Sequence, residues 1–347
     1  MMHFVIIRDA FAIDKDTQRH HMKCISTGND DMQHFLLSAA ARTLSLKKVY
    51  RMGEDAAYRT FCQLRWPETD GEAICPKCGC TETYNIATRR KFKCVACHHQ
   101  FSVTSGTIFS SRKMSFTDLL AAVVIFVNGA KGVSALQMSR DLDCQYKTAF
   151  VLAHKLREAM ALEDAAQTLS GEVEVDGAYF GGYVKPANEK ENRRDRRKAV
   201  NQSGKRQVVV VGRERDGASL VTVAKTEAKG GEIISGRIHH MSTVHADEAS
   251  HWDDLHGKFD TRRINHGLSY SDGYACTNQA ESYFSRLRRM EVGTHHHIAG
   301  PYLHQYAAEA SWREDNRRVD NGSQAMTVVA AAMASRQSRT WGGYWQR

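Results

Sequence analysis

The sequence predicts a multidomain α+β protein, and three observations carry that prediction. Two Cys-x-x-Cys pairs stand fifteen residues apart, Cys75 to Cys78 and Cys94 to Cys97. A run with helical spacing follows. After Leu169 short β-rich segments alternate with helices in a set order. The length, 347 residues, fits two or three domains at roughly 150 residues each.

Composition narrows the class. Hydrophobic residues make up 42% and charged residues 25%, the balance of a globular chain and not of a disordered one. Only 4 residues are Pro, too few for long Pro-rich linkers. The longest apolar run, Leu119 to Val127, has nine residues, against roughly 20 for a membrane-spanning helix. No membrane partner is expected. Met1 to Asp9 holds a short apolar stretch, Phe4 to Ile7, without a small-residue cleavage site, which does not read as a secretory signal. Collagen, membrane and disulfide-rich classes are excluded.

Charge points to a partner. Lys and Arg total 48 against 39 acidic residues, a net charge of +9 with a pI near 9.1. A polyanion, nucleic acid first, suits that balance; a basic enzyme without such a partner is the plain alternative. Residues 190–206 hold eight Lys or Arg and two acidic residues, +6 of the +9. Arg193, Arg194, Arg196, Arg197 and Lys198 form the densest part of this segment. It reads as a DNA-contacting loop, or else as a solvated insert.

In the first domain, residues 1–53 show no strong period and are broken by Gly28-Asn-Asp-Asp31, which suggests a flexible extension. Residues 54–106 combine a helix with the cysteine pairs. Ala57, Phe61 and Leu64 share one helical face. Two Cys-x-x-Cys turns can place four thiolates around one Zn²⁺. Gly79 can take the positive φ of a tight knuckle. Cys75, Cys78, Cys94 and Cys97 are therefore candidate zinc ligands in a zinc ribbon. Two disulfides are the alternative, and these require an oxidising compartment. Cys24, Cys62, Cys80, Cys144 and Cys276 read as scattered small apolar residues.

Residues 114–162 read as a helical DNA-binding region. Ser115 can cap a helix from Phe116 to about Asn128, with Asp118 in its first turn. Ser134 to Arg140, a turn at 141–144, and Gln145 to Met160 then resemble a helix-turn-helix. Lys147, Lys155 and Arg157 on the longer helix are candidate DNA contacts; an ordinary helical bundle is the alternative.

Residues 170–317 carry the β-rich order. Glu172–Val175, Gln207–Gly212 and Ser219–Val223 read as strands, followed by a helix near Glu232–Gly236. Thr243–Ala246, a helix near Glu248–Leu255, a strand at Arg262–Asn265, and helices at Asn278–Met290 and Pro301–Arg317 complete it. Three strands, a helix, a strand, a helix, a strand, then helices is the mixed-sheet order of a ribonuclease-H-like α/β fold. Residues 318–347 form a C-terminal tail. In such a fold carboxylates from the first strand, a central strand and a late helix meet at one end of the sheet, where two Mg²⁺ ions support phosphoryl transfer. The candidates are Asp176 at the end of the first strand, Asp247 at the end of the Val244–Ala246 strand, and Glu281 in the helix after Asn278. Glu174 and Glu248 are the competing acids; Glu174 lies one strand period from Asp176 and can share its face, whereas Glu248 points elsewhere or caps the next helix. Arg288, two turns after Glu281, forms a basic helix with Arg286 and Arg289, suited to a phosphate backbone or to plain solvation. His266 is a further candidate for positioning a phosphate or water. His295-His-His297 reads as solvated.

These residues resemble, in order, the insertion-sequence transposases of the DDE superfamily that carry an N-terminal zinc ribbon. The resemblance spans roughly Glu54 to Arg317. It rests on Cys75-Pro-Lys-Cys-Gly79, Phe92-Lys-Cys-Val-Ala-Cys97, Phe101-Ser-Val-Thr-Ser-Gly-Thr-Ile-Phe109, Tyr146-Lys-Thr-Ala-Phe150 and His154-Lys-Leu-Arg157. It continues through Val173-Glu-Val-Asp-Gly-Ala-Tyr-Phe-Gly-Gly182, His245-Ala-Asp247 and Thr277-Asn-Gln-Ala-Glu-Ser-Tyr-Phe-Ser-Arg-Leu-Arg-Arg289.

The resemblance implies a polynucleotidyl transferase that cuts at inverted-repeat ends of double-stranded DNA and joins the 3′-OH ends to target DNA. It implies structural Zn²⁺ and catalytic Mg²⁺, with Mn²⁺ able to substitute, and a homo-oligomer, at least a dimer when active. It also implies a bacterial-type cytoplasmic, nucleoid-associated location. Asp176, Asp247 and Glu281 match the catalytic acids, and Arg288 stands where the family often has Lys, which keeps the charge but changes the phosphate geometry. Asn278, one turn before Glu281, is placed to orient it or to touch DNA. The family commonly has Glu-Thr after the first Asp; this chain has Gly177-Ala178. A DNA-binding regulator without catalysis, and a nuclease that hydrolyses without joining, are the alternatives.

Overall fold

The computed structural model describes residues 35–163, 167–182, 187–195, 199–201, 204–215, 217–264 and 276–346. Most of the N-terminal extension, Arg196, Arg197, Lys198 and His266 lie outside the described residues. The chain divides into two compact units: residues 1–124 with 318–347, and residues 125–317.

The first unit begins with helix α1 (Leu46–Arg65), which bends at Gly53. Its second half is the segment the 3.6-residue period predicts; the turns before Gly53 fall in the stretch expected as an extension, although Leu46, Val49 and Tyr50 there also stand at helical spacing. Val49, Ala57, Phe61 and Leu64 are buried along it. Strands β1 (Thr83–Ile86), β2 (Lys91–Cys94) and β3 (Gln100–Phe101) form an antiparallel sheet. Trp66, at the end of α1, packs edge-on against Phe92 and Phe101 at ring separations of 5.6 and 6.4 Å. Helix α2 (Phe116–Asn128) starts as expected, with Ser115 Oγ accepting from the Asp118 amide at 3.0 Å. Glu54 adds a second cap, accepting from the amides of Phe116 and Thr117 at 3.0 and 2.9 Å. The C-terminal segment returns to this unit. Its helix, Asn321–Ala334, is tied down by Asn321, whose Oδ1 accepts from the Leu44 amide at 3.0 Å.

In the second unit α3 (Ala135–Asp141) and α4 (Tyr146–Glu163) are joined by a short turn, and Ser134 caps α3. A five-stranded mixed sheet follows. Its strands are β4 (Glu172–Phe180), β5 (Gln207–Glu214), β6 (Ser219–Ala224), β7 (Thr243–Asp247) and β8 (Asp260–Ile264), in the order β6-β5-β4-β7-β8. β4 to β6 run antiparallel; β7 is parallel to β4 and β8 to β7. β5 explains its unbroken Val run by being covered on both faces. Val208 and Val210 pack with Val173, Val175 and Trp252; Val209 and Val211 pack with Ala178, Phe180 and helix α6 (Asn278–Met290). Helix α7 (Leu303–Asp315) lies on that second face.

Three expectations need correction. β4 does not end near Val175. It continues to Phe180 because β5 pairs with it along its length, Asp176 opposite Val211. Asp176 therefore lies inside a strand. The helix expected at Glu232 begins earlier, as α5 (Glu227–Ser235), capped by Thr226. The pair Gly230-Gly231 lies inside this helix and lets it pack closely. A Cβ at Gly230 would stand 2.4 Å from Val210 Cγ2, and one at Gly231 would stand 2.8 Å from Trp252. The segment expected as a helix near Glu248–Leu255 is 3₁₀ over Ser250–Leu255.

Gly230→Ala should lower the melting temperature. Replacing a helical glycine gains about 1 kcal/mol of propensity, but overpacking costs about 1–3 kcal/mol and wins at that separation. A rise in melting temperature would show that the helix has room to move off the sheet.

Candidate active site and zinc site

The zinc site belongs to the first unit. The Gly79 amide donates to the Cys75 carbonyl at 2.9 Å, and Gly79 takes φ 74°. The second knuckle repeats the turn with His98 at φ 56°, its amide donating to the Cys94 carbonyl at 3.1 Å. The four sulfurs lie within 4.8 Å of one another, with Sγ separations of 3.6 Å (Cys75–Cys97), 3.5 Å (Cys78–Cys94) and 3.4 Å (Cys78–Cys97). A Zn–S bond of about 2.3 Å places tetrahedral sulfurs roughly 3.8 Å apart, whereas a disulfide needs about 2.05 Å. All four cysteines are free thiols. Without a cation they compete for charge. The Cys97 amide pulls Cys94 down to about 6. At Cys78 the Cys80 amide lowers the value, but the neighbouring thiols Cys97 and Cys94 outweigh it and push it up to about 12. A divalent cation removes that competition, so the donor set fits zinc. Cys75→Ser should reduce bound zinc from one ion per chain to none, read by metal analysis of the purified protein; full retention would reject the site.

The second unit holds the acidic site. β7 pairs with β4 only from Glu172 to Glu174, so the two strands part just before Asp176. Asp247 ends β7, still paired to Ile264 of β8. Its Oδ1 accepts from the Ala249 amide at 3.0 Å. Glu281 lies in the first turn of α6. Asp176 and Glu281 line one cleft of about 760 Å³, whose other walls include Lys131, Ser285, Arg288 and Arg289. Asp247 does not line it, but its charge reaches Asp176. The Asp176 carboxyl is pushed up to about 6 by burial, against the Gly177 amide that donates to it at 2.7 Å, and further by Asp247, Glu281 and Glu227. Among the described residues the three candidate acids do not close to within 4.8 Å of one another as the thiols do. Oxygen donors that repel one another suit a divalent cation.

Glu227 lies before the helix start expected at Glu232 and is not among the sequence-derived candidates. Its side chain covers Gly177: a Cβ there would stand 2.9 Å from Glu227 Cγ and 3.1 Å from Oε1. It pairs with His251 at 3.3 Å. Burial raises its pKa, against the lowering by His251, and Asp247 raises it further. The Thr226-Glu227 pair, a cap followed by an acid, was the available signal.

Glu174, a competing acid in the sequence, faces α6 as Asp176 does but is buried and capping. Its Oε2 accepts from the amides of Gln279 and Ala280 at 2.8 and 3.1 Å. Glu248 is exposed.

The basic candidates divide. Arg288 and Arg289 are exposed on the cleft rim, and Lys131, which carried no sequence signal, joins them. Arg286 turns instead to Glu314, at 2.6 Å. Arg157 is corrected: it is buried, 2.6 Å from the buried Glu309, and packs over the Tyr306 ring. It therefore offers DNA no surface. Lys155 is half-buried, and burial lowers its pKa; Lys147, Arg193, Arg194 and Asn278 are exposed. Of the three adjacent histidines, His295 is pushed down to about 4, chiefly by burial.

A four-thiol ribbon in one unit, and a carboxylate cleft with a basic rim in the other, suit a protein that acts on a polyanion such as nucleic acid. Family comparison makes this specific. The ISXO2-like transposase domain matches residues 168–315, and a transposase zinc-ribbon domain matches residues 52–100. The chain belongs to the insertion-sequence transposases with an N-terminal zinc ribbon. No curated protein and no solved structure matched it. Among the described residues no helix is long and apolar enough to cross a membrane.

Asp176→Asn should stabilise the metal-free protein at pH 7.5. The folded form keeps a proton that the unfolded chain releases near 3.8. Stability therefore falls as pH rises from about 4 to about 6, and the deficit persists above. At ~1.4 kcal/mol per pKa unit the deficit is on the order of 2–3 kcal/mol, several degrees of melting temperature. An unchanged melting temperature at pH 7.5 would contradict the crowding of charge at this position.

Proposed function

We propose that the chain cleaves the inverted-repeat ends of its element and joins their 3′-OH groups to target DNA, with Asp176, Asp247 and Glu281 as the catalytic acids. The observation that carries this reading is the parting of β4 and β7 beside Asp176, in a cleft that also holds Glu281 and is rimmed by arginines. The strand order β6-β5-β4-β7-β8, antiparallel then parallel, supports a ribonuclease-H-like domain over about 170–317.

Asp176, Asp247 and Glu281 would hold Mg²⁺ or Mn²⁺, which when bound lowers the pKa of the attacking oxygen and stabilises charge on the leaving one. The side chains do the rest. Arg288, Arg289 and Lys131 neutralise phosphates at the cleft mouth. Burial around Asp176 keeps bulk water from screening its charge. Asn278, exposed at the start of α6, and the arginines at 193 and 194 extend the contact to the duplex. The α3–α4 pair, within the helical region 114–162, presents Lys147 as a helix-turn-helix would. The ribbon region 54–106 adds a second DNA-facing module. Action on two ends calls for at least a dimer, working on nucleoid DNA in the cytoplasm.

A joining assay tests this reading. Labelled DNA from the flanks of the gene is incubated with protein, Mg²⁺ and a target plasmid. Wild type should join label to plasmid, and Asp176→Ala, Asp247→Ala and Glu281→Ala should each lose roughly 10³-fold or more, as catalytic groups acting as a unit do, while still binding DNA. Cutting without joining would make it a nuclease, and binding without cutting a regulator. Full activity in Asp247→Ala would remove that residue from the triad.

A further inference from the structure

The acid next along the strand face from Asp176 has a different task. Glu174 is 1% exposed and lies two residues before Asp176, on the face of β4 that α6 covers. Its Oε2 accepts from the Gln279 and Ala280 amides, and the residue after Ala280 is Glu281. The side chain of Thr277, the residue at the cap position of α6, makes no capping hydrogen bond to the helix. The cap of this helix therefore comes from the strand that carries Asp176. Arg215 Nε donates to Glu174 Oε1 at 3.3 Å, and the same guanidinium pairs with Glu172. Two amide donors, a helix N-terminus and an arginine satisfy the Glu174 charge. That charge is committed inside the protein, while the carboxylates beyond it stay in the cleft.

We propose that Glu174 is a positioning residue, which straps the first turn of α6 to β4 and so sets the separation of Asp176 and Glu281 for metal binding. This rests on the reading that those two carboxylates hold the metal. Besides this strap, the spacing of the two ligands draws on the apolar packing of Ala178, Phe180, Ala280 and Phe284 and on Arg213 of β5, whose Nη1 donates to the Gln279 carbonyl at a longer 3.4 Å. Such packing tolerates sliding better than a pair of hydrogen bonds does. Partners that orient metal ligands typically alter metal affinity or activity by about 10–100-fold when removed.

The test measures Mn²⁺ affinity of the full chain by titration calorimetry, without DNA, for wild type, Glu174→Gln, Glu174→Ala and Glu281→Gln. DNA affinity, melting temperature and the Mn²⁺ dependence of strand cleavage are read alongside. Glu174→Gln should weaken Mn²⁺ binding roughly tenfold, and Glu174→Ala further, towards about a hundredfold, with DNA affinity unchanged. Excess Mn²⁺ should partly restore cleavage in Glu174→Gln. Wild-type Mn²⁺ affinity in Glu174→Gln would overturn the proposal. If Glu174→Ala does not fold, the isosteric Glu174→Gln decides. Parallel loss of DNA affinity and melting temperature in Glu174→Gln, with no rescue by Mn²⁺, would also overturn it, leaving a purely structural cap. Glu281→Gln separates the two ideas: wild-type Mn²⁺ binding and cleavage there would overturn the metal reading and this proposal with it. Loss in Glu281→Gln alone would overturn only the strap.

Discussion

Repulsion among carboxylates is the constraint around which the second unit is organised. Asp176, Asp247, Glu281 and Glu227 come from four elements and act on one another's charge. Asp176 and Asp247 stand where the parallel strands β4 and β7 separate, each still paired on its other side, and the two glutamates come from helices. Burial makes the repulsion stronger than it would be in water. The Asp176 carboxyl answers by holding its proton to about pH 6. Such an arrangement carries unfavourable free energy that a divalent cation, bound there as proposed, would release.

The same chain shows how an acid is buried without that cost. Glu174 is buried and caps a helix that begins far away in sequence, as the part-buried Glu54 does in the first unit. Glu309 and Glu314 are buried against arginines, with Arg157 and Arg313 on the first and Arg213 and Arg286 on the second. These acids join elements, whereas Asp176 takes a hydrogen bond from the amide of its own neighbour, Gly177, and faces the charges of Asp247, Glu281 and Glu227. The ribbon poses the same problem with thiols, and there the sulfurs already stand close to a tetrahedral spacing.

Much of this was legible in residue spacing. The cysteine pairs gave the ribbon, Ser115 and Ser134 gave two helix starts, and the Val run of β5 marked a strand. What stayed hidden depends on tertiary contact. The close packing of α5 on Val210 and Trp252, which needs glycine at 230 and 231, is a tertiary contact, and the helix start expected at Glu232 left Glu227 outside it. Asp176-Gly177 looked like a strand end because the β5 pairing that continues it is non-local. Arg157 carried a charge suited to DNA, but its partner Glu309 is 152 residues away in sequence. Side-chain charge can be read from sequence; whether an interior partner consumes it cannot.

The central claim is that Asp176, Asp247 and Glu281 converge to hold a divalent cation. Mn²⁺ soaked into crystals of the protein, located by its anomalous scattering, tests it most directly. The account predicts a peak bounded by these three carboxylates, with Glu174 still hydrogen-bonded to α6 and outside the coordination shell. A Mn²⁺ peak elsewhere, or one coordinated by Glu174 in place of Asp176 or Glu281, would contradict it.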